Sequence, residues 1–240
     1  FSDVPGLVQG SSQGQGVGNQ FLNSIRNVDM LVHIVRAFTN DDVPHVSGEV
    51  NPLRDIETIN MELLLADMEI IEKRIERIKS GKKVKKENVT ELEVLEKCLS
   101  SLENEISIGQ LDLTDSEKTV LRNYSFLTEK PILLVINTDE RQFNSKSYTG
   151  KEQVETYARE RGLPLLEICG KIEMEISQLP AEDRELFMAD LGIGESGIDR
   201  LARAAYDYLG LISFLTVGAD EVKAWTIQRN TDARSAAGKI

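Results

Sequence analysis

Residues 131–140 have the sequence PILLVINTDE. An apolar run over 131–136 is followed at once by the polar residues 137–140. A strand in a parallel sheet is covered on both faces, so it is apolar along its whole length. Ligands of such sheets bind beside the carboxyl ends of the strands. The stretch therefore predicts a buried parallel strand with a binding site at its polar end.

The regions on either side of this stretch predict further strands that alternate with helices. Apolar runs at 30–35 and 165–169 predict two more buried strands, and the first residues of the chain predict a strand that ends at Asp3. Amphipathic segments predict helices at 21–26, 114–127, 151–161, 182–191 and 197–208. Strands separated by helices are typical of a parallel α/β sheet, which is the fold class that we predict.

Two heptad patterns interrupt this alternation of strands and helices. Apolar residues at alternating spacings of three and four run from Met61 to Ile78 and again from Leu92 to Ile106. The polar segment 80–86 joins the two patterns, and Asp55 is placed to cap the first helix. We predict an antiparallel coiled-coil hairpin, inserted between strands of the sheet domain.

Lysines concentrate in the segment between these two helices, in a chain whose net charge is −12. They are Lys79, Lys82, Lys83, Lys85 and Lys86. One interpretation is a solvated turn that its charges keep soluble. The other is a contact with RNA phosphates, for example on a ribosome. The sequence alone leaves both interpretations open.

Asp3 and Gly6 form an Asp-x-x-Gly pattern, and the loop after them has glycines at positions 10, 14, 16 and 18. In a nucleotide-hydrolysing site, such an Asp holds Mg²⁺ through water and such a Gly gives its backbone N–H to the terminal phosphate. Asp-Val-Pro-Gly is also a common turn sequence. Taken alone, the pattern favours the turn over a phosphate switch.

Composition limits the class of protein. The 240 residues allow one large or two modest domains, and the 40% apolar content is enough for a core. The 28% charged content, without a long apolar run, excludes a membrane protein. Cys98 and Cys169 predict reduced thiols in the cytoplasm. His33 and His45 predict no metal site, because neither has a second ligand at helical or turn spacing.

Four motifs occur in order along the chain, and a glycine-rich loop follows the first: DVPGL at 3–7, DIETIN at 55–60, NTDE at 137–140 and KAWTI at 223–227. Together they resemble the YchF-type (Obg-like ATPase) branch of the Obg-related P-loop NTPases over essentially the whole chain. The resemblance implies a P-loop NTPase-type parallel sheet that is incomplete here, the inserted helical hairpin and the start of a β-grasp TGS module. It implies these bounds: 1–54 and 110–210 for a partial nucleotide-binding domain, 55–109 for the hairpin, and 211–240 for a truncated TGS domain.

The resemblance also assigns residues to a nucleotide site. It implies that ATP or GTP contacts Asp3, Gly6, Asn137, Thr138, Glu140, Gly170 and Lys171, with Mg²⁺ held by Asp3 through water. A turn at 170–171 is expected to bring backbone groups to the base. Leu7 lies where related GTPases place the Gln that orients the attacking water, so this apolar side chain must act by packing.

Residues 137–140 differ from the Asn-Lys-x-Asp sequence of most P-loop GTPases. Thr138 replaces the Lys, and Glu140 replaces the Asp that accepts two hydrogen bonds from guanine. In the resembled family this change is associated with a preference for ATP. We therefore expect the complete protein to be a cytoplasmic ATPase that prefers ATP over GTP and regulates a ribosome-associated or stress-related process.

The sequence contains no Gly-x-x-x-x-Gly-Lys-Ser/Thr phosphate loop and does not begin with Met. We interpret the chain as a fragment of a longer protein and expect the fragment alone to be inactive. The alternative function is a ribosome- or RNA-binding regulator whose affinity is only tuned by nucleotide. The lysine-rich segment and the TGS module favour this alternative, whereas Asp3, Gly6 and Asn137 favour a nucleotide site.

Overall fold

The structure is a computed structural model that describes residues 1–4, 22, 24–81 and 86–240, without the side chains of residues 86 and 87. These residues group into two compact units, Phe1–Leu31 with Leu53–Pro131 and Val32–Pro52 with Ile132–Ile240. Each unit has a hydrophobic cluster of its own. The domain bounds given above from the sequence stay a prediction.

The first unit is built on two long helices, α1 (Pro52–Lys79) and α2 (Lys86–Glu103). Proline suits the first position of α1, because an N–H there would have no acceptor within the helix. The two helices bury one shared apolar core, in which the predicted heptad residues include Leu64, Ile71, Ile75, Ile78, Leu95 and Leu102. Helices that share a core and are joined by the short segment 80–85 run antiparallel, as the spacing predicts.

Polar contacts add to this core. The guanidinium of Arg74 donates to both carboxylate oxygens of Glu91, at 2.9 and 2.8 Å, which links α1 to α2. The Tyr124 hydroxyl also donates to Glu91. Two-point pairing of this kind is the strongest geometry available to a guanidinium and a carboxylate. The hydrogen bond from Arg74 lowers the pKa of Glu91.

The helix predicted over 114–127 is shorter in the structure. Helix α3 spans Asp115–Leu121 and begins with a capping box, in which Thr114 and Glu117 bind each other's backbone N–H groups. Beyond it, Ser125 has a φ of 51°, in the left-handed region, so a helix cannot continue through it. The prediction was too long because it followed the apolar residues and missed this break.

The second unit contains the parallel sheet. Its strands β1 (Leu31–Arg36), β2 (Ile132–Asn137) and β3 (Leu165–Ile168) lie in the order β1-β2-β3. β2 and β3 pair in parallel from Leu134 opposite Leu165 to Asn137 opposite Ile168. The central strand is buried, as its apolar sequence predicts. The α/β fold class is therefore confirmed.

Five helices of the second unit follow strands of this sheet. They are α4 (Glu140–Ser145), α5 (Lys151–Glu160), α6 (Gly170–Gln178), α7 (Ala181–Asp190) and α8 (Gly197–Tyr208). The sequence predicts α5, α7 and α8 to within one residue at each end. It does not predict α4 and α6, which begin directly after β2 and β3 and start the site described below.

An antiparallel hairpin and a short helix form the last described part of the chain. Strands β4 (Leu211–Val217) and β5 (Val222–Gln228) pair with Phe214 opposite Trp225, and helix α9 (Ala233–Ala237) follows. Both strands lie within 211–240, the range that the resemblance assigns to the start of a TGS module. The indole N–H of Trp225 donates to the Thr216 hydroxyl at 2.9 Å across the hairpin. Trp225 is half-buried, so it packs within the hairpin.

One prediction near the start of the chain needs correction. Residues 1–4 form no strand, because no described strand pairs with them. Within the helix predicted over 21–26, the described residues Leu22 and Ser24 are helical, and a 3₁₀ turn spans Ile25–Asn27. Of the helices that the structure describes, none is long and apolar enough to cross a membrane.

Candidate functional site

The carboxyl ends of the three parallel strands are joined by backbone hydrogen bonds. The N–H of Ala37 donates to the carbonyl oxygen of Asn137 at 2.9 Å, and the N–H of Thr138 donates to that of Ile168 at 2.8 Å. Residues 137–142 and 169–171 follow these strand ends, and we call them the carboxyl-end rim. Five of the residues predicted to bind nucleotide therefore lie close together: Asn137, Thr138, Glu140, Gly170 and Lys171.

Asn137 connects β2 to the start of α6. Its side-chain Oδ1 accepts a hydrogen bond from the N–H of Gly170 at 2.9 Å. A Cβ atom on Gly170 would lie only 3.2 Å from this oxygen, which is tighter than ordinary van der Waals contact. Glycine at position 170 therefore allows the backbone to come close to the Asn137 amide.

The Thr138 hydroxyl is used inside the sheet. It donates to the carbonyl oxygen of Ile168 at 3.0 Å, and the residue is only 3% exposed. The backbone N–H and the hydroxyl of Thr138 both donate to the carbonyl oxygen of Ile168, the last residue of β3. Thr138 therefore holds the end of β2 against the end of β3. A direct contact between Thr138 and a nucleotide stays a prediction.

Asp139 and Gln142 form a capping box at the start of α4. The Asp139 carboxylate accepts from the N–H of Gln142 at 2.8 Å, and Gln142 Oε1 accepts from the N–H of Asp139 at 3.0 Å. The Gln142 amide also donates to the carbonyl oxygen of Ala37 at 2.8 Å. Sequence analysis missed both residues, although an N-cap residue with Gln three positions later is a recognised helix-start pattern.

Glu140 and Lys171 form an ion pair across the carboxyl-end rim. Glu140 Oε1 and Lys171 Nζ are 2.7 Å apart, and the side chains are 47% and 63% exposed. The hydrogen bond that Lys171 donates to Glu140, and then the charge of Glu140, raise the pKa of Lys171. Both residues lie in the first turn of a helix, Glu140 in α4 and Lys171 in α6. They are the most exposed charged pair of the rim and the one best placed to meet a ligand.

Residues 170–171 form a helix start where the sequence predicted a turn. Gly170 is the first residue of α6 and buried Cys169 precedes it as the N-cap. The first N–H groups of a helix have no acceptor within the helix. Asn137 supplies that acceptor for Gly170. The short segment between β3 and α6 contains neither proline nor a Ser, Thr, Asp or Asn cap, so no local pattern indicates the start of this helix.

The remaining predicted site residues cannot be placed at the rim. Asp3 is exposed and belongs to the first unit. Gly6, Leu7, Lys82, Lys83 and Lys85 lie outside the described residues, and the Lys86 side chain is also not described. Among the described residues, no group of three or more His, Cys, Asp or Glu could hold a metal ion. A carboxylate such as that of Asp3 is a suitable oxygen ligand for Mg²⁺. The role of Asp3 in holding the ion stays a prediction.

Comparison with known proteins gives three consistent matches. A family model for "YchF-GTPase_C: Protein of unknown function (DUF933)" matches residues 211–240. The chain is 43% identical over 244 residues to "Ribosome-binding ATPase YchF" of Bacillus subtilis, with all of this chain covered. It is 45% identical over 241 residues to the protein of the same name from Escherichia coli O157:H7. The chain spans 66% of the length of each of these relatives.

A solved structure gives the same result. The "Structure of the Schizosaccharomyces pombe YchF GTPase" superposes with a TM-score of 0.82 and 29% sequence identity. The match covers 94% of this chain and 62% of that one. Similarity of this extent, in sequence and in fold, runs through both described units of the chain.

Proposed function

The chain belongs to the YchF family, and on that basis we propose that the complete protein binds and hydrolyses a nucleoside triphosphate, with ATP preferred over GTP, while bound to the ribosome. Relatives that are similar over the whole of this chain are named ribosome-binding ATPases. The solved neighbour is named a GTPase. Hydrolysis of a nucleoside triphosphate is common to both names.

The observation that supports this proposal most directly is the carboxyl-end rim. Two strands end there and two helices begin there. The side chain of Asn137 links the end of β2 to the start of α6 by accepting a hydrogen bond from the N–H of Gly170. Parallel α/β sheets bind ligands at this edge. The exposed pair of Glu140 and Lys171 provides groups for recognising a base. We assign the rim to the base of the nucleotide, with Thr138 setting the spacing of the strands.

The phosphate side of the site is assigned to the start of the chain. Asp3 would hold Mg²⁺ through water, Gly6 would donate its backbone N–H to the terminal phosphate, and Leu7 would pack nearby. Bound Mg²⁺ neutralises phosphate charge during phosphoryl transfer. Because no phosphate-loop sequence occurs in residues 1–240, we expect these residues alone not to hydrolyse ATP.

The ribosome is the proposed partner, which places the protein in the cytoplasm. The lysine-rich segment, with Lys82, Lys83, Lys85 and Lys86, is the basic surface that we assign to RNA phosphates. We also assign residues 211–240 to the start of a TGS β-grasp domain that contributes to this contact. An acidic chain needs such a local concentration of lysine to approach nucleic acid.

The test is nucleotide turnover by the complete protein, measured with ATP or GTP and with or without ribosomes. We expect Mg²⁺-dependent turnover that prefers ATP and rises on ribosomes. Asn137→Ala should lower nucleotide affinity, because it removes the acceptor for Gly170. Asn144→Ala, at an exposed position of α4, is the matched control. A complete protein that turns over neither nucleotide in any of these conditions contradicts the proposal.

The name shared by the relatives also supports the second candidate, a ribosome-binding regulator in which nucleotide only tunes affinity. The regulator is distinguished from the nucleotide-hydrolysing protein by measuring ribosome affinity with ATP, with ADP and without nucleotide. Affinity that changes with nucleotide while turnover stays negligible favours the regulator. Exchange of the four lysines for Glu should weaken binding and flatten its salt dependence in either case.

A further inference from the structure

We propose that Lys171 is a specificity-determining residue, which pairs with the Glu140 carboxylate and so prevents that carboxylate from selecting guanine. This inference rests on the proposed function, because it concerns the base end of the same nucleotide site. It assigns the discrimination between bases to a contact within the protein. The ligand classes concerned are adenine and guanine nucleoside triphosphates.

The first step is the state of the other side chains in 137–140. Asn137 Oδ1 accepts from Gly170, and the Thr138 hydroxyl donates to Ile168. The Asp139 carboxylate accepts from Gln142. Each of these groups is therefore committed to the scaffold of the rim. Glu140 is left as the acidic side chain of this segment with a large exposed fraction, 47%.

The second step is the chemistry of the base edge. Guanine presents two adjacent donors, N1–H and the N2 amino group, and a free carboxylate accepts from both. Adenine presents one amino donor beside an unprotonated N1, whose lone pair is repelled by a carboxylate. A free carboxylate at this position would thus favour guanine and disfavour adenine.

The third step is the position of Lys171. Its ammonium lies 2.7 Å from Glu140 Oε1, within hydrogen-bonding distance of the oxygen that a guanine donor would need. The ammonium of Lys171 also neutralises the charge of Glu140 in the same contact. Because the carboxylate is occupied and neutralised, it attracts guanine less and repels N1 of adenine less. The raised pKa of Lys171 agrees with a lysine that stays charged in this pair.

The exposure of the pair sets the size of the effect. Ion pairs between exposed side chains are weak and are screened by salt. Guanine can therefore compete with Lys171 to some extent, and Lys171 reduces selection of guanine without abolishing GTP binding. We expect Lys171 to change the ratio of the two affinities by a factor of about five.

The experiment is a competition titration of ATP against GTP on the complete protein with Mg²⁺. It compares wild type, Lys171→Met, Glu140→Gln and the double variant, with Lys118→Met as a charge-matched control at an exposed position of α3. We expect Lys171→Met to raise GTP affinity relative to ATP about five-fold. Glu140→Gln and the double variant should keep the wild-type ratio, since a glutamine has one acceptor oxygen.

Salt provides a second measurement on the same samples. Rising salt screens the pair, so the wild-type ratio should move toward GTP, while the ratio for Lys171→Met should stay constant. Effects of salt on phosphate binding are common to both nucleotides and cancel in the ratio. This dependence would not arise if Lys171 only stabilised the helix start.

The outcomes separate the two proposals. If Lys171→Met binds both nucleotides with the wild-type ratio, or weakens both equally, the inference about Lys171 is overturned and the nucleotide site stands. If the wild type binds neither nucleotide, the proposed function is overturned and the inference with it. A changed ratio in Lys118→Met would assign the effect to net charge and would also overturn the inference.

Discussion

Two carboxylates show how differently the two units use an acidic side chain. Asp67 in the first unit is 0% exposed and accepts hydrogen bonds from the N–H groups of Leu127 and Thr128 at 3.1 and 2.8 Å. The Thr128 hydroxyl donates at 2.9 Å and the Arg26 guanidinium at 3.4 Å. Glu140 in the second unit is half exposed, and Lys171 donates to it. Asp67 is fixed by its donors, whereas Glu140 can exchange its partner for a ligand.

The comparison separates structural from functional polar groups. Burial raises the pKa of Asp67, although its hydrogen bonds and Arg26 act in the opposite direction. A buried acid of this kind has its cost offset only by a complete set of donors. No such set surrounds the exposed Glu140. Substitutions at Asp67 should therefore change folding, and substitutions at Glu140 should change binding.

The largest expected effect is the loss of Asp67. Asp67→Ala leaves the Leu127 and Thr128 N–H groups buried without their acceptor and should lower the free energy of unfolding by about 3 kcal/mol. Urea denaturation followed by circular dichroism measures the change. Glu69→Ala, at an exposed position of the same helix, should stay within about 0.5 kcal/mol of wild type. Equal losses in the two variants would show that the buried donors do not determine the stability of this unit.

The next effect concerns the exposed carboxylate. Changing Thr138 to Lys and Glu140 to Asp together should move base preference toward GTP by about 1–3 kcal/mol, because a shorter carboxylate is placed to accept two guanine donors. Competition titration of both nucleotides against the complete protein with Mg²⁺ measures the shift. Thr138 is buried and hydrogen-bonded to Ile168, so thermal unfolding of the double variant is compared with that of Glu140→Asp alone, at an exposed position, to separate a loss of stability from a change in preference. If the double variant kept the wild-type preference, residues 138 and 140 would not determine which base is bound.

The comparison also shows which features can be predicted from sequence. The apolar run of β2 and the heptads of α1 and α2 predict the fold class, because burial requires those patterns over long stretches. A binding site at 137–140 was predicted because a polar segment follows the end of an apolar strand, whereas Gly170 and Lys171 were assigned by the resemblance to a family. Asp67 was missed, yet it lies three residues after Leu64 and four before Ile71, on the apolar face of α1. A polar residue on such a face indicates a buried partner.

Other features depend on contacts that no local pattern contains. The pairing of Glu140 with Lys171 requires α4 and α6 to begin side by side, which the parallel pairing of β2 with β3 determines. Helix α4 is only six residues long and begins inside a polar motif, so it has no apolar period to detect. The left-handed Ser125 that shortens α3 is likewise set by its surroundings.

A smaller effect is expected at the contact between the two parts of the rim. Gly170→Ala places a Cβ atom 3.2 Å from Asn137 Oδ1, so the amide must move and its hydrogen bond to the 170 N–H must weaken. We expect a loss of about 1 kcal/mol in nucleotide affinity. Isothermal titration with ATP measures it. Gly194→Ala, where no atom lies within 4 Å of the added Cβ, should bind as wild type does. An unchanged affinity for both variants would mean that the site tolerates movement of Asn137.

The smallest expected effect is a dependence of folding stability on pH in the first unit, which follows from the pKa of Glu117. The backbone hydrogen bond from Thr114, together with Lys97 and the Thr114 hydroxyl, lowers the pKa of Glu117 from 4.5 to about 2. A carboxylate whose pKa is lower in the folded state contributes stability above pH 4.5 and loses that contribution as the pH falls through about 2. Wild type should therefore lose stability faster than Glu117→Gln across this range, because the amide does not titrate. Thermal unfolding midpoints of both proteins, measured from pH 5 downward, test this.

Asp67 should show the opposite pH dependence. Burial raises the pKa of Asp67, so the contribution of this residue to stability declines as the pH rises above 3.8. If Asp67→Asn and Glu117→Gln changed the slope against pH in the same direction, the contrast between a buried and a surface carboxylate would fail.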